Sequence, residues 1–363
     1  MRVLHVLGEL RPSGAEVMLR AAAGDWRAHG IEADVLAVGP HIGSFADELR
    51  ASGYGVAHEP DARPARLPWR LWRRVRAGRY DVVHLHAERA NFPFGVAARA
   101  AGAGVVRTVH AVFLLDGEPR WRRVLQRALL RAGGLAHVAV GPSVAANERA
   151  RFRNPATVIP NWCDGSFLPP TAQERARARR DLGLPPHGPV VVSVGNCAPV
   201  KRHPAVLAAL AHPACPPDLL YVHVGEEDPE QAERALAERL GVARRVRFVG
   251  RTAPLAALHA ADAYVMPSAR EGASVAALEA LATGLPLVLA DVPGLRDLAE
   301  HADTVTLTGV DPAALAAALA AAVSGPRARE SRGRRMAQRY GAGRGTAAYA
   351  AAYRGVRKEV RGA

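Results

Sequence analysis

One stretch constrains the fold of this chain more than any other: PSAREGASVAALEALATGLPLVLA, Pro267 to Ala290. The apolar run Ala263–Met266 stops at Pro267, and Leu285–Ala290 is apolar again after Thr283-Gly284. The spacing therefore reads as strand end, loop, short helix, turn and strand. The helical part, Val275–Ala282, is apolar on every side except at Glu279. A helix of that kind is buried among its neighbours, and a carboxylate seldom leaves water without a partner. Glu271 stands eight residues earlier, in the loop Glu271-Gly272-Ala273-Ser274 that feeds the helix N-terminus.

One carboxylate in the loop, one in the second turn and helix-start N–H groups between them suit a nucleoside diphosphate carrying a sugar. The macrodipole and the open donors favour the diphosphate, the inner carboxylate can accept from vicinal ribose hydroxyls, and the loop carboxylate can hold sugar hydroxyls. The competing account is two surface glutamates beside a core helix, and spacing alone does not separate the two.

A chain of 363 residues has room for two domains, each with its own core. Apolar residues at 49% with mixed charge indicate a folded chain. No apolar run approaches the ~20 residues that cross a bilayer, and Val3–Leu7 is a first strand, too short for a signal-peptide core. Cys163, Cys197 and Cys215 show no close-paired spacing, which points to neither a disulfide framework nor a zinc site. A cytoplasmic protein is expected, with membrane association as the alternative. The net charge of +14 comes almost wholly from Arg, Lys201 and Lys358 being the only lysines, and it is shared by both halves. That pattern is compositional, and no nucleic-acid partner is expected.

Along the chain, Val3–Leu7, the loop Gly8–Gly14 and a helix from Ala15 to His29 form a Rossmann-like opening. G-x-G-x-x-G is absent, so a nicotinamide dinucleotide is not supported. Asp81–His86 and Val105–His110 are buried-type strands ending in His86 and His110. In a parallel α/β sheet those ends face the ligand crevice, although each histidine could equally be a satisfied structural residue. Arg63–Arg79 and Arg120–Arg131 are basic, lack acidic residues and carry apolar sets at helical spacing, Trp69, Leu71, Trp72, Val75 and Trp121, Val124, Leu125, Leu129. They read as outer helices with solvated Arg faces, or as faces for an anionic membrane or acidic acceptor. The breaker-rich, polar segment 169–188 reads as a linker, dividing the chain into 1–168, 189–335 and a C-terminal part 336–363. After the strand Val190–Val194 comes Lys201. In an Arg-committed chain, an ammonium here suggests a point charge for phosphate.

Glu271 and Glu279 at this spacing, with Gly272 after the first and Glu279-Ala280-Leu281-Ala282-x-Gly284-x-Pro286 from the second, resemble the E-x7-E signature of family-4 retaining glycosyltransferases. The resemblance runs over nearly the whole chain. It implies the GT-B fold, an α/β arrangement of two Rossmann-like domains with parallel sheets facing across a cleft, the last helices crossing back to the first domain. It implies transfer of a sugar from a UDP- or GDP-sugar to a hydroxyl of a small-molecule or lipid-linked acceptor, with retention and without metal or cofactor. On this resemblance Lys201, Glu271 and His110 are the catalytic candidates. Gly14, Lys201, Arg202, Arg251, Glu271, Gly272, Ala273, Ser274 and Glu279 would bind the donor, and His86 and His110 would lie on the acceptor side. Three positions depart from the family: Asn196 stands where Arg is usual, Arg202 where Gly is usual, and Trp162 replaces Gly in Val158–Asp164, which is expected to reshape the crevice wall. No D-x-D triplet occurs, so a metal-bridged diphosphate is unsupported. A nucleotide-sugar 2-epimerase of related architecture and a non-catalytic nucleotide-sugar-binding subunit are the rival readings; Asn196 favours the latter, while Lys201, Glu271, Glu279 and His110 oppose it.

Overall fold

A computed structural model of the protein describes residues 1–60, 64–88, 90–112, 119–300, 303–325 and 329–362. Arg63, the first residue of the first basic segment, lies outside them. The chain divides into two compact units, Met1–Asp164 with Ala342–Ala363, and Gly165–Gly341.

The first unit is built on seven parallel strands: β1 (Arg2–Leu7), β2 (Glu32–Ala37), β3 (Gly55–His58), β4 (Val82–Leu85), β5 (Gly104–Val109), β6 (Leu135–Ala139) and β7 (Thr157–Val158). Their order is β3-β2-β1-β4-β5-β6-β7, reversing between β1 and β4. The second unit holds β8 (Val190–Val194), β9 (Leu220–Val224), β10 (Val246–Phe248), β11 (Ala263–Met266), β12 (Leu287–Ala290) and β13 (Val305–Thr308). It repeats the pattern as β10-β9-β8-β11-β12-β13, reversing between β8 and β11. In such sheets ligands bind beyond the carboxyl ends of the strands at the reversal. Strands that read as near-continuous apolar runs are those buried on both faces, and β4, β8, β11 and β12 are of this kind.

The stretch singled out in the sequence forms the expected elements. The helix spans Val275–Ala282, β11 ends at Met266, and β12 begins at Leu287, two residues later than the apolar run suggests. Leu278 and Leu281 are each 1% exposed, which stabilises by roughly 1.5–3 kcal/mol per side chain.

Two boundaries differ from the sequence reading. Segment 169–188 is not a linker: it carries a helix, Ala172–Asp181, opened by a reciprocal capping box between Thr171 and Glu174. Arg175 and Arg179 from that helix pair with Asp262 at 2.8 and 2.9 Å, and Arg179 also donates to the carbonyls of Ala260, Pro185 and Gly188. These bonds make the segment part of the second unit. At the other end, the helix Arg329–Arg339 runs past residue 335 and stays with the second unit. Gly333 lets it approach the 275–282 helix, since a Cβ there would stand 2.7 Å from the Ala282 carbonyl oxygen. The following helix, Ala342–Gly362, belongs to the first unit.

The second basic segment also differs. In the helix Arg120–Ala132, Arg127 is buried, bonded to both Glu148 carboxylate oxygens at 2.8 and 2.9 Å. Glu148 takes a further bond from Asn154 at 2.8 Å and faces the buried Arg107 at 3.5 Å. Trp121, Leu125 and Leu129 of the apolar set are exposed instead, at 68%, 50% and 52%, alongside Arg120, Arg122 and Arg131. In the helix Leu67–Gly78, Leu71 and Val75 are buried as expected, while Trp69 is exposed. Among the described residues no helix is long and apolar enough to cross a membrane.

Candidate active site

The two loops that leave the second sheet at its reversal point carry the charged residues. After β8 the chain passes Gly195 and reaches a single tight turn, Pro199–Lys201. After β11 it runs through Pro267–Ser274 into the 275–282 helix. The Ala269 amide donates to the Val200 carbonyl at 2.8 Å and clamps one loop to the other. That clamp brings Lys201 Nζ to 2.7 Å from Glu271 Oε1, across 70 residues of sequence.

Each loop is held by backbone that tolerates no larger residue. Gly225 sits at φ +157°, where a Cβ would fall 2.1 Å from the Gly195 carbonyl oxygen. Gly294, in the helix Pro293–Ala299, packs so closely that a Cβ would lie 2.0 Å from the Gly272 oxygen and 2.3 Å from that of Glu271. The Glu271-Gly272 turn is thus braced from behind by the next helix.

Ser274 is the N-cap, its Oγ accepting from the Ala277 amide at 3.3 Å. Glu279, one turn further on, is only 4% exposed. The Tyr264 phenol on β11 feels both acids: burial first, then the charges of Glu271 and Glu279, push its pKa well above the ordinary tyrosine value. Lys201, Glu271, Ser274 and Glu279 therefore form one cluster, with Gly272 and Ala273 between them.

The remaining donor-side candidates are distributed differently. Arg202 is exposed and left-handed, at φ 54°, a conformation that costs a Cβ-bearing residue and explains why glycine suits the position. Asn196 accepts the Glu226 amide at 3.0 Å, tying the β8 and β9 loops together. Arg251 is exposed just after Gly250. Gly14 lies in the first unit as the opening residue of the helix Gly14–Ala28.

His86 and His110 also lie in the first unit, and they meet. His86 Nδ1 is 3.0 Å from His110 Nε2. His86 Nε2 is 3.0 Å from His5 Nδ1, which extends the chain to three imidazoles. Burial holds these rings neutral: it lowers His110 to about 4 and His5 to about 3, and His86 is driven well down by burial and then by its histidine neighbours. Beneath them His84 is bonded to Tyr353 at 2.6 Å and to Thr108 at 2.7 Å, and Thr108 to Tyr349 at 2.8 Å. Sequence reasoning missed His5, His84, Tyr349 and Tyr353. His5 and His84 share a sheet face through the register His5↔His84, so alternation along β1 and β4 was the available signal, whereas nothing local ties either to tyrosines far along the chain. Glu16 was missed too. It is 5% exposed and hydrogen-bonded by the Ser13 hydroxyl, and burial raises its carboxyl to about 7.

Trp162 does not form a crevice wall. It is 3% exposed, donates from Nε1 to the Met18 carbonyl at 2.9 Å, and packs edge-on to Tyr349. Gly345 makes room for it, because a Cβ there would be 2.1 Å from the indole ring.

The description "Glycosyltransferase Family 4" matches residues 12–167, and "Glycosyl transferases group 1" matches residues 174–339. The chain belongs to the family-4 glycosyltransferases. Among its relatives, a D-inositol 3-phosphate glycosyltransferase of Corynebacterium urealyticum is 31% identical over 66% of this chain and 62% of its own length. One of the same name from Streptomyces avermitilis is 31% identical over 77% of this chain and 64% of its own. This chain thus spans less than two thirds of the length of these two relatives. A solved structure of Anabaena Alr3699/HepE in complex with UDP and glucose has the same fold, with a TM-score of 0.78 at 20% identity, over 97% of this chain and 99% of that one. GT-B glycosyltransferases are the structural neighbours of this family-4 member.

Proposed function

We propose that the protein moves a sugar from a nucleoside diphosphate sugar, UDP- or GDP-linked, to a hydroxyl of a small-molecule or lipid-linked acceptor, with retention. The observation that carries this reading is the Lys201–Glu271 pair beside buried Glu279 at the reversal point of the second sheet. Lys201 supplies the charge that stabilises the leaving diphosphate, the 275–282 helix N-terminus adds its dipole, and Glu279 takes the ribose hydroxyls. Preorganised charge of this kind is commonly the largest catalytic contribution. Glu271 orients the transferred sugar and, before the donor arrives, keeps the Lys201 ammonium in place. Arg202 and Arg251 are the further cations for the donor. Neutral His110, backed by His86, accepts a hydrogen bond from the acceptor. Glu271 and Glu279 are assigned to hydroxyls, not to the paired-carboxylate chemistry of a retaining hydrolase, so the departing phosphate takes the acceptor proton in a front-face displacement.

The UDP and glucose held by the Anabaena structure support a nucleotide-sugar donor, and the relatives' names make an inositol phosphate the first acceptor to try. The diphosphate needs no metal in this scheme, so added magnesium or manganese leaves turnover unchanged.

For the acceptor, Trp121, Leu125 and Leu129 occupy one face of the 120–132 helix at successive i, i+4 positions, beside exposed Arg122 and Arg131. An apolar stripe flanked by Arg suits adsorption to an anionic bilayer, where a lipid-linked acceptor would be found. Flotation with anionic vesicles, weakened by salt, tests this part.

The deciding experiment is a thermal-shift panel of UDP-, GDP- and dTDP-sugars. A ligand at 100 times its Kd stabilises by about 2.7 kcal/mol, and one donor class is expected to do so. In Glu279→Ala nucleotide affinity falls by roughly 1.5–3 kcal/mol. A panel without any shift rejects the transfer reading, and unchanged affinity in the variant rejects the ribose assignment.

A further inference from the structure

Beside the loop that carries Lys201, four side chains come near one another that neither the fold nor the proposed transfer uses. Cys197 follows β8, His203 opens the helix His203–Ala211, His223 lies in β9, and Glu233 is in the first turn of the helix Ala232–Arg239. The ligand atoms of Cys197, His203 and His223 lie within 4.8 Å of one another. Cys197 Sγ is 3.4 Å from His223 Nε2. The Glu233 carboxylate lies near enough for its charge to act on the Cys197 thiol, though outside the set of atoms that meet within 4.8 Å.

Three observations set this cluster apart from ordinary core polarity. The first is orphaned polar atoms: His203 Nδ1 and Glu233 Oε2 are buried without a hydrogen-bond partner, in residues 3% and 7% exposed. Such groups cost about 1–3 kcal/mol each unless something satisfies them. The second is orientation. His223 Nδ1 faces Ser193 Oγ at 3.1 Å and the Tyr221 hydroxyl at 3.4 Å. With the Nδ1 proton donated to Ser193, the Nε2 lone pair points at Cys197, the outer-shell arrangement that fixes a metal-ligating histidine. The third is charge. Glu233, Glu227 and Asp228 all act on Cys197; Glu227 is paired with Arg234 and Lys201 with Glu271, which leaves Glu233 and Asp228 as the negative charge on the cluster.

The histidine cluster of the first unit is a useful contrast. His5, His84 and His86 also come within 4.8 Å, but both nitrogens of His84 and both of His86 already have partners at 2.6–3.0 Å. In that cluster His5 Nε2 alone lacks a partner, and the two rings beside it are fully engaged. The cluster around Cys197 is open.

We propose that Cys197, His203, His223 and Glu233 form a zinc site that fastens the loop carrying Lys201 to β9 and the helix behind it. One thiolate, two imidazoles and a carboxylate are the donors zinc takes. In tetrahedral zinc, ligand atoms stand roughly 3.3–3.6 Å apart given the usual Zn–N and Zn–S lengths. The Cys197–His223 separation already fits, His203 closes from within 4.8 Å, and Glu233 turns its carboxylate in from beside Cys197. Binding exchanges the thiol proton for the metal, the proton leaving to solvent. Four protein ligands leave no open position, so the site is structural. The spacing of the cysteines hid it because the ligands come from four separate elements. The inference stands whether or not the chain transfers sugar.

Cobalt(II) titration of the metal-stripped, full-length protein tests it, since cobalt reports thiolate ligation and tetrahedral geometry by absorption. One equivalent is expected to produce a thiolate-to-cobalt band with intense visible bands, and zinc to displace it and raise the melting temperature. With Cys163→Ser and Cys215→Ser combined, Cys197 is the sole cysteine and the band is retained; in Cys197→Ser it is lost. His203→Gln weakens cobalt binding at least tenfold. No band in the wild-type protein overturns the site, as does a band that vanishes in the Cys163/Cys215 double variant while that variant stays folded. Should Cys197→Ser not fold, the wild-type, double-variant and His203→Gln titrations decide the matter on their own.

Discussion

The first unit buries polar side chains inside its sheet, whereas the second keeps the strands at its reversal point almost apolar and places charge in the loops beyond them. In the first, His5, His84, Arg107 and His137 lie within strands and are buried. One face of that sheet is closed by an apolar cluster from Leu67, Leu71, Val75, Phe94 and Leu130. The other bears His5, His84 and Thr108 and is sealed by Tyr349 and Tyr353 of the C-terminal helix. In the second unit, β8, β11 and β12 contain no charged residue. Its strands pack against apolar helices such as His203–Ala211 and Pro312–Ser324. The difference shows where each unit is vulnerable. The first is held by a buried polar network and a returning segment, so its stability is sensitive to charge. The second keeps its buried ion pairs off the strands, at Asp262 with Arg175 and Arg179, and carries Lys201, Glu271 and Glu279 in and just beyond the loops.

This contrast can be broken most forcefully at Glu148. Removing it leaves the buried Arg107 and Arg127 with only Glu88 as counter-charge, a loss toward the lower end of the about 3–5 kcal/mol that breaking a buried pair costs. All five tryptophans, Trp26, Trp69, Trp72, Trp121 and Trp162, belong to the first unit, so urea unfolding of Glu148→Ala followed by tryptophan fluorescence reads that unit alone. A midpoint equal to wild type would contradict the buried network.

At the second unit the opposite outcome is expected. Lys201→Ala should lower turnover by ~10²–10³-fold, the effect of one transition-state donor, while the fluorescence transition stays where it was. Retained turnover would remove Lys201 from leaving-group stabilisation.

Acid should also separate the two. His5 and His110, lowered by burial to about 3 and about 4, bind protons in the unfolded chain near the ordinary histidine value of about 6.5. The unfolded state thus holds more protons between those limits, and stability falls as pH drops through them. Glu16 opposes this, because its carboxyl, raised by burial to about 7, keeps a proton that the unfolded chain releases; its contribution is lost as pH rises. The histidines outnumber it, so the fluorescence-detected melting temperature should fall on going from about pH 7 to about pH 5. Glu16→Gln should steepen the fall, and a flat profile would mean that the imidazoles are not held neutral.

The smallest effect is at Arg202. Arg202→Gly relieves the left-handed backbone at φ 54°, a gain of about 1 kcal/mol in the calorimetric transition of the second unit. A loss instead would show that the exposed guanidinium compensates its own strain.

How much was legible in the sequence depended on the range of the interaction. The 275–282 helix and β11 were read with their bounds because apolar period, Pro267 and Gly284 are local signals. The 172–181 helix was missed although Thr171-x-x-Glu174 is a local capping signature, because five nearby prolines and the Arg-rich stretch suggested a linker. Arg127 looked like one more solvated arginine, since Glu148, which buries it, lies 21 residues away. Of the four histidines gathered at β1, β4 and β5, two were found because they end strands; His5 and His84 sit within strands and resemble ordinary core residues.

By itself the sequence determined the alternation of strand and helix, the buried helix with its lone acid, and the placing of a rare lysine after β8. Each follows from contacts a few residues apart, which backbone geometry and side-chain periodicity already dictate. Only the tertiary structure decided that Lys201 meets Glu271, that Tyr353 closes on His84, and that Cys197 faces two histidines. Those pairs are 70, 269 and up to 26 residues apart in the chain, and it is parallel strand order, not any local preference, that brings their ends together.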